Sequence, residues 1–228
     1  MPQAETSALA ADTAGLPAPV ALHEDADLLV LCKPSGLLCV PGRGPDKQDC
    51  LSARAQQHWP GALIVHRLDQ ATSGLVLMAR HAEAQRRLSL AFEQRQIHKR
   101  YVAIVQGLVA EPPGSWADIH LPIAADWERR PLRVIDAEHG KPSHTRWRPL
   151  DHNTAAGTTR VELEPVTGRT HQLRVHLAAL GHPILGDALY ANAATQAQAP
   201  RLLLHAGELA LAHPTTGQAM RWALAADF

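Results

Sequence analysis

The sequence has few cysteines, no long apolar run and no excess of charge of either sign. Its three cysteines, Cys32, Cys39 and Cys50, form no C-x-x-C pair and so do not indicate a zinc or thiol-redox motif. No apolar run approaches the roughly 20 residues of a membrane span. Residues 1–19 contain neither a basic segment nor a continuous apolar run. We therefore expect no export signal, no membrane association and a cytoplasmic location.

The sequence also lacks the motifs of several enzyme classes. It contains no G-x-x-x-x-G-K-[ST] or G-x-G-x-x-G loop for nucleotide phosphates, and no G-x-S-x-G elbow for a serine nucleophile. His171 and His176 are five residues apart and do not form the H-E-x-x-H spacing of a zinc helix. We therefore expect no metal site.

The composition is that of a globular protein of 228 residues, with 46% hydrophobic and 19% charged residues. Its formal net charge is zero, so no overall positive field indicates a nucleic-acid partner. Arginine nevertheless supplies 18 of the 22 basic residues. The guanidinium group suits phosphate binding and base stacking, although high-GC codon usage produces the same bias. Composition alone leaves the partner open.

The pattern along the chain predicts a short tail followed by one domain. Residues 1–19 are rich in alanine, proline and threonine without periodicity, which predicts a flexible tail. Residues 20–228 then alternate short apolar runs with turn signals, and residues 82–96 show the period of an amphipathic helix. This order predicts an α+β fold with a mixed, mainly antiparallel β-sheet and flanking helices.

Two regions of this domain are important for function. Residues 61–69, "GALIVHRLD", and 73–79, "SGLVLMA", are predicted to be two strands joined by a polar turn in which Gly74 supplies a permissive backbone. Residues 170–181, "THQLRVHLAALG", predict a helix with Thr170 at its N-cap. The apolar stripe of this helix is predicted to consist of Leu173, Leu177 and Leu180.

The first of these regions carries two charges, Arg67 and Asp69, within a stretch that otherwise resembles a buried strand. Burying charge is costly, so these residues either form a structural ion pair or border a pocket. The polar turn that follows is of the kind that borders a cleft. A carboxylate beside a guanidinium stays ionised, and in a dry pocket it is a competent nucleophile.

Two further residues have both a structural and a functional interpretation. Arg174 lies just off the leucine stripe of its helix, where it either remains solvated or reaches the edge of the core and meets Asp69. Tyr101 lies in the predicted strand "KRYVAIVQG", residues 99–107. It is either a core tyrosine or a ring that stacks on a base while its hydroxyl takes part in proton transfer.

Four segments, taken in order, resemble the RluA family of pseudouridine synthases. "HRLDQATSGLVLMA", residues 66–79, is similar to the catalytic motif of the family. "HEDADLLVLCKPSGLLCVPG", "KRYVAIVQG" and "GRTHQLRVHLAALGHPILGDALY" resemble its N-terminal, tyrosine and C-terminal motifs. "ADWERRP" and "APRLLLHA" resemble the dual-specificity subgroup that acts on tRNA and large-subunit rRNA.

This resemblance implies a reaction that needs no cofactor, in which uridine becomes pseudouridine. The C1′–N1 bond breaks, the uracil turns, and C5 joins C1′. The nucleophilic aspartate of the family falls on Asp69, its tyrosine on Tyr101 and its aspartate-pairing arginine on Arg174. Arg67 matches the arginine that fills the space left by the flipped nucleotide. The other implied substrate-binding positions are His66, Thr72, Arg169, His171 and Gln172.

The resemblance also implies an eight-stranded mixed sheet with a central active-site cleft, in a monomer. The expected substrates are stem-loops, namely uridine 32 of the tRNA anticodon loop and uridine 746 of 23S rRNA. The stretch before Val20 is too short for the S4 RNA-binding domain of many relatives. RNA binding is therefore expected from the arginine-rich segments 80–100 and 129–148.

Three alternatives remain open at this stage: another tRNA or rRNA target, a non-catalytic RNA-binding module, or an unrelated hydrolase that uses Asp69 and a histidine. Loops rather than motifs decide the target, so the first alternative is the strongest.

Overall fold

The computed structural model describes residues 18–228. Most of the predicted tail, residues 1–17, lies outside the described residues. The strands are β1 (Val20–Glu24), β2 (Leu28–Lys33), β3 (Leu63–Ile64), β4 (Ser73–Ala79), β5 (His98–Gln106), β6 (Ala117–Ile119), β7 (Ile123–Ala125), β8 (Arg133–Ile135), β9 (Thr145–Asn153), β10 (Thr158–Pro165), β11 (Leu204–Ala212) and β12 (Ala219–Ala223). The α-helices are α1 (Leu51–His58), α2 (Ala82–Glu93), α3 (Gln172–Ala179) and α4 (Ala193–Gln196).

Ten of these strands form one sheet. Eight of them follow one path, in the order β1-β2-β4-β11-β5-β10-β9-β6, while β3 pairs with β4 and β12 pairs with β11. Strands β7 and β8 form a separate hairpin. Between the strands described in residues 18–228, the pairing of β4 with β11 is parallel and the others are antiparallel. The predicted α+β fold with a mixed, mainly antiparallel sheet is confirmed, but the sheet has ten strands rather than the implied eight, because β3 and β12 also pair with it.

Both faces of the centre of this sheet are covered. All seven residues of β4 are buried, and successive side chains of a strand point to opposite faces. Val76 and Met78 therefore join one apolar cluster, to which α1 and α3 also contribute, while Leu75 and Leu77 join another beneath α2. Each fully buried aliphatic side chain contributes about 1.5–3 kcal/mol to folding. A functional charge must therefore lie beyond the end of the strand rather than within it.

The parallel pairing of β4 and β11 depends on Gly74. This residue has φ 119, and a Cβ atom there would lie 2.3 Å from the backbone oxygen of Ala206. Only glycine allows β11 to approach so closely, and the predicted permissive role of Gly74 is confirmed. The contact holds the start of β4 firmly against its neighbour, immediately after the turn that carries Asp69.

The predicted strand over residues 61–69 is wrong for most of its length. β3 comprises only Leu63–Ile64, and residues 65–69 are irregular. The backbone N–H of Leu68 donates to the sulfur of Cys39 at 3.2 Å rather than to a neighbouring strand. Asp69 is therefore presented by an irregular segment and not by a strand.

The predictions for two helices need correction at their ends. The N-cap of α3 is His171 rather than Thr170, and Leu180 lies beyond the helix with 39% of its surface exposed, while Leu173 and Leu177 are buried as predicted. Helix α2 is confirmed but ends at Glu93, since Arg95 adopts a left-handed conformation with φ 58. Among the described residues, no helix has both the length and the apolar character needed to cross a membrane.

Candidate active site

A cleft of about 930 Å³ opens beyond the N-terminal end of β4. Its walls come from the segment before β4, from the end of α2 and the start of β5, and from the loop between β10 and α3. All nine residues predicted to form the site line this cleft: His66, Arg67, Asp69, Thr72, Tyr101, Arg169, His171, Gln172 and Arg174. The fold therefore gathers residues that lie up to about a hundred positions apart in the sequence.

Asp69 occupies a tight turn at the floor of this cleft. The backbone N–H of Thr72 donates to the carbonyl oxygen of Asp69 at 3.1 Å, which closes the turn. The buried ammonium group of Lys33 donates to the next carbonyl, that of Gln70, at 3.0 Å, and also to the carbonyls of Pro34 and Leu37. Burial lowers the pKa of Lys33 to about 8. Lys33 thus ties the N-terminal loop to the turn that presents Asp69.

Arg174 meets Asp69, as one of its two interpretations predicted. Its Nη1 lies 3.4 Å from Oδ2 of Asp69. Its Nε and Nη2 donate to the two oxygens of Asp187 at 2.8 and 2.7 Å. Burial opposes the charge of Arg174, but its hydrogen bonds to the Asp187 carboxylate prevail, and the pKa of Arg174 is raised. Arg174 is therefore a buried, permanently charged group that is oriented by Asp187 and directs one N–H towards Asp69.

A second cavity of about 850 Å³ lies on the other side of this ion pair. Asp69, Gln70, His171 and Arg174 line both cavities, so these residues form the partition between them. The carboxylate of Asp69 is thus accessible from the cleft, and Arg174 lies beside it in the partition. Arg67 forms no ion pair with Asp69 or with any other carboxylate of residues 18–228, so the structural ion pair considered from the sequence is not formed.

Tyr101 is buried in β5 with its ring against the cleft. Burial raises the pKa of its hydroxyl, and the negative charge of Asp69 raises it further. The phenol is therefore neutral at physiological pH. Such a ring can stack on a base, and its neutral hydroxyl can form hydrogen bonds.

His171 stands between the two cavities with its ring towards Asp69. Its Nε2 lies 4.0 Å from Oδ1 of Asp69, and its Nδ1 lies 2.7 Å from the hydroxyl of Tyr190. Burial lowers the pKa of the imidazole, while the charge of Asp69 partly offsets this effect. His171 therefore contributes a neutral imidazole next to the carboxylate.

The other predicted residues differ in exposure and in whether they contact the protein backbone. Arg67 is exposed at the cleft, and Arg169 holds the carbonyl of Pro142 through two contacts of 3.3 Å. His66 accepts the backbone N–H of Leu77 on Nε2 at 3.0 Å, and burial lowers its pKa to about 3, so it is neutral. Arg67 and Arg169 are thus the exposed cations among the predicted substrate-binding residues, and Arg169 differs in being held by the Pro142 carbonyl.

Gln172 and Thr72 line the cleft but are buried. The amide of Gln172 accepts the Thr167 hydroxyl at 2.7 Å and the Arg169 N–H at 3.0 Å, and it donates to the carbonyl of His144 and the hydroxyl of Thr145. Its four polar contacts are all with the protein. Gln172 therefore holds the loop that carries Arg169 and His171.

Sequence reasoning missed three residues of the site: Lys33, Asp187 and Tyr190. All three lie inside motifs that the sequence analysis identified, Lys33 in "HEDADLLVLCKPSGLLCVPG" and the other two in the "GDALY" end of the C-terminal motif. Asp187 could have been predicted, because it lies in the same motif as Arg174 and a buried arginine requires a buried carboxylate.

Two groups of histidine and aspartate outside the cleft also bring possible metal-ligating atoms within 4.8 Å of one another: Asp118, His120 and His144, and Asp25, Asp27 and His213. In the second group, Nδ1 of His213 accepts two backbone N–H groups, so its Nε2 carries the proton and donates to Asp25 at 3.3 Å. In the first, the two imidazole rings are stacked with centroids 4.0 Å apart, which does not suit in-plane coordination of one ion. Both groups are hydrogen-bonding clusters.

Comparison with known proteins identifies relatives of one kind. The family model described as RNA pseudouridylate synthase matches residues 27–179. The dual-specificity RNA pseudouridine synthase RluA of Escherichia coli strain K12 is 46% identical over 209 residues, covering 92% of this chain and 94% of that protein. The Yersinia pestis protein of the same name is 44% identical, covering 92% and 100%. The solved structure of human RNA pseudouridylate synthase domain containing 1 superposes with a TM-score of 0.76 at 30% identity, covering 92% and 84%.

Proposed function

The chain belongs to the RNA pseudouridylate synthase family, and we propose that its substrates are uridine 32 of the tRNA anticodon loop and uridine 746 of 23S rRNA. The observation that supports a working synthase is the carboxylate of Asp69 on the floor of a large cleft, 3.4 Å from an arginine that Asp187 holds in place. The similarity to relatives named dual-specificity enzymes supports two substrates. We place the reaction in the cytoplasm and assign it to a monomer.

In this proposal Asp69 is the catalytic carboxylate. The C1′–N1 bond breaks with its electron pair leaving on the uracil ring, C5 then bonds to C1′, C5 loses its proton and N1 gains one. Arg174 keeps Asp69 ionised throughout and holds it in one orientation. The neutral ring of Tyr101 stacks on the detached uracil, which must remain in the cleft until it has turned.

Reaching this cleft requires the uridine to leave its stack, at a cost of a few kcal/mol. A loop uridine is cheaper to extrude than a paired one, which favours stem-loop substrates. Arg67 is exposed at the cleft and without a carboxylate partner in residues 18–228, so it is free to occupy the gap in the RNA.

The arginines that can contact RNA are fewer than the sequence predicted. In the segment 80–100, Arg80 pairs with Glu24, while Arg86 and Arg87 pair with Glu83. Arginines of the segment 129–148 are also partly paired, Arg129 with Asp126 and Arg148 with Glu162. Both segments therefore carry less free positive charge than their composition indicates.

Several arginines without a carboxylate partner meet at the cleft. Arg67, Arg95 and Arg169 line it and have no carboxylate partner among residues 18–228. On the β7–β8 hairpin, Trp127 is 71% exposed, and the guanidinium of Arg130 lies 4.3 Å from its ring. A protein of zero net charge thus presents a locally positive surface at the cleft and, on the β7–β8 hairpin, an exposed ring on which a base can stack.

We therefore expect RNA affinity to fall steeply with salt. About three phosphate contacts predict a slope of about −2 in a plot of log affinity against log salt concentration. Fluorescence anisotropy of a labelled anticodon stem-loop measures this slope at several KCl concentrations. Arg95→Ala should make the slope shallower by about 0.7, whereas Arg221→Ala, which removes an arginine paired with Glu208 away from the cleft, should leave it unchanged. A slope near zero for the unaltered protein would contradict the proposed surface.

The choice of substrate is tested by tritium release from C5-labelled uridine, because forming the C5–C1′ bond expels the hydrogen at C5. We expect release from an unmodified tRNA anticodon stem-loop and from a 23S rRNA fragment that contains uridine 746. Changing the named uridine to cytidine in each RNA should abolish the release. Release that persists in these altered RNAs, or that occurs only with other RNAs, would show that the proposed targets are wrong.

A further inference from the structure

His171 has a backbone that its residue type rarely adopts. It is the N-cap of α3 with φ 58 and ψ 16, in the left-handed region, and its side chain makes no capping hydrogen bond. A non-glycine residue in this conformation is costly and persists only where its surroundings require it. In this conformation the imidazole does not cap the helix. It lies between the hydroxyl of Tyr190 on one side and the carboxylate of Asp69 on the other.

The hydrogen bonds of Tyr190 define the protonation of this imidazole. The backbone N–H of Arg133 donates to the Tyr190 hydroxyl at 2.9 Å, and a backbone N–H can only donate. The hydroxyl has no acceptor in residues 18–228 other than Nδ1 of His171, at 2.7 Å. Its proton therefore goes to Nδ1. Since the imidazole is neutral, its single proton is on Nε2, the nitrogen that faces Asp69.

The carboxylate of Asp69 thus has one donor for each oxygen. Arg174 Nη1 faces Oδ2 at 3.4 Å, and His171 Nε2 faces Oδ1 at 4.0 Å. Both separations exceed those of a strong charge-assisted hydrogen bond. Arg174 therefore holds Oδ2 through a long, weak hydrogen bond while His171 Nε2 lies just beyond reach of Oδ1, and small movements during the reaction can shorten both contacts.

We propose that Tyr190 is a positioning residue that fixes His171 as its Nε2–H tautomer. On the basis of the proposed function, this N–H orients the nucleophilic carboxylate of Asp69. Tyr190 acts only through His171. The β7–β8 hairpin contributes through the backbone N–H of Arg133, which occupies the Tyr190 oxygen and so sends the phenol proton to His171.

Tyr190→Phe removes the hydroxyl but retains the ring that packs 5.1 Å from the Arg174 guanidinium. We expect kcat to fall about tenfold, the size of effect that the loss of one hydrogen bond produces, while KM changes little. A double-mutant cycle with His171→Ala separates the two possible routes. If Tyr190 acts through His171, adding Tyr190→Phe to His171→Ala should have no further effect. An equal, additive loss in both backgrounds would overturn the proposal.

A direct readout is the ¹⁵N spectrum of protein labelled in histidine, in which the His171 signals are those lost in His171→Ala. We expect the Nε2–H tautomer at pH 7 and a mixture of tautomers in Tyr190→Phe. A protonated Nδ1 in the unaltered protein would overturn the inference. This spectrum does not depend on turnover, so failure of the proposed RNA targets would leave it intact.

Discussion

Asp69→Asn is expected to reduce tritium release at least about 10⁴-fold, because the amide that replaces the carboxylate has no charge with which to act on C1′. The substitution preserves the shape of the side chain, and the amide oxygen can still accept from Arg174. Binding of the stem-loop should therefore remain within about threefold of the unaltered protein, because phosphate contacts dominate affinity. Single-turnover tritium release measures the first quantity and anisotropy the second.

Stability provides the control for this experiment. Asp69 is partly exposed, and Arg174 already has a buried counter-ion in Asp187, so the asparagine should not lower the melting temperature. A folded Asp69→Asn protein that retains turnover would refute the catalytic assignment. A protein that loses both turnover and thermal stability would show that Asp69 supports the fold instead.

Asp187→Asn is expected to have the largest effect on stability. Asp187 is fully buried and Arg174 is 4% exposed. Removing one charge of a buried pair costs about 3–5 kcal/mol, because the other charge remains buried without its partner. Turnover should fall as well. Without Asp187, Asp69 becomes the counter-ion of Arg174, and a direct ion pair would occupy the lone pairs that the reaction needs.

Asp49→Asn is the matched control, since Asp49 forms a similar two-point contact with Arg54 near the surface. Exposed pairs contribute about 0–1 kcal/mol, so this variant should unfold almost like the unaltered protein. Urea titration gives both free energies of unfolding. If the two variants prove equally stable, the buried pair does not have the structural importance assigned to it.

Much of the site was accessible from the sequence because its residues lie in contiguous motifs. Asp69 follows an apolar run and precedes a polar turn, Tyr101 alternates with apolar neighbours, and Arg174 lies beside a leucine stripe. Local periodicity was enough to predict the strand of Tyr101 and the helix of Arg174, although not the irregular segment that carries Asp69. The same patterns predict the α+β fold and the amphipathic helix α2.

Local patterns do not identify the partner of a buried group. Arg174 was expected to meet Asp69, but its two shortest contacts are with Asp187, which the chain brings back after α3 has ended. The irregular path of residues 65–69 has a similar origin, since the sulfur of Cys39 takes the N–H that a strand would have used. Both contacts join residues that are separated in sequence and adjacent only in the folded chain.

The sequence by itself therefore determined the family and the fold class, and it predicted residues that all line one cleft. The tertiary structure alone decided how those residues are held: Lys33 beneath the turn, Asp187 behind Arg174 and Tyr190 on the imidazole of His171. The physical reason is that a buried polar group must be satisfied by whichever partner the fold brings within about 3 Å of it, and sequence spacing does not specify that partner.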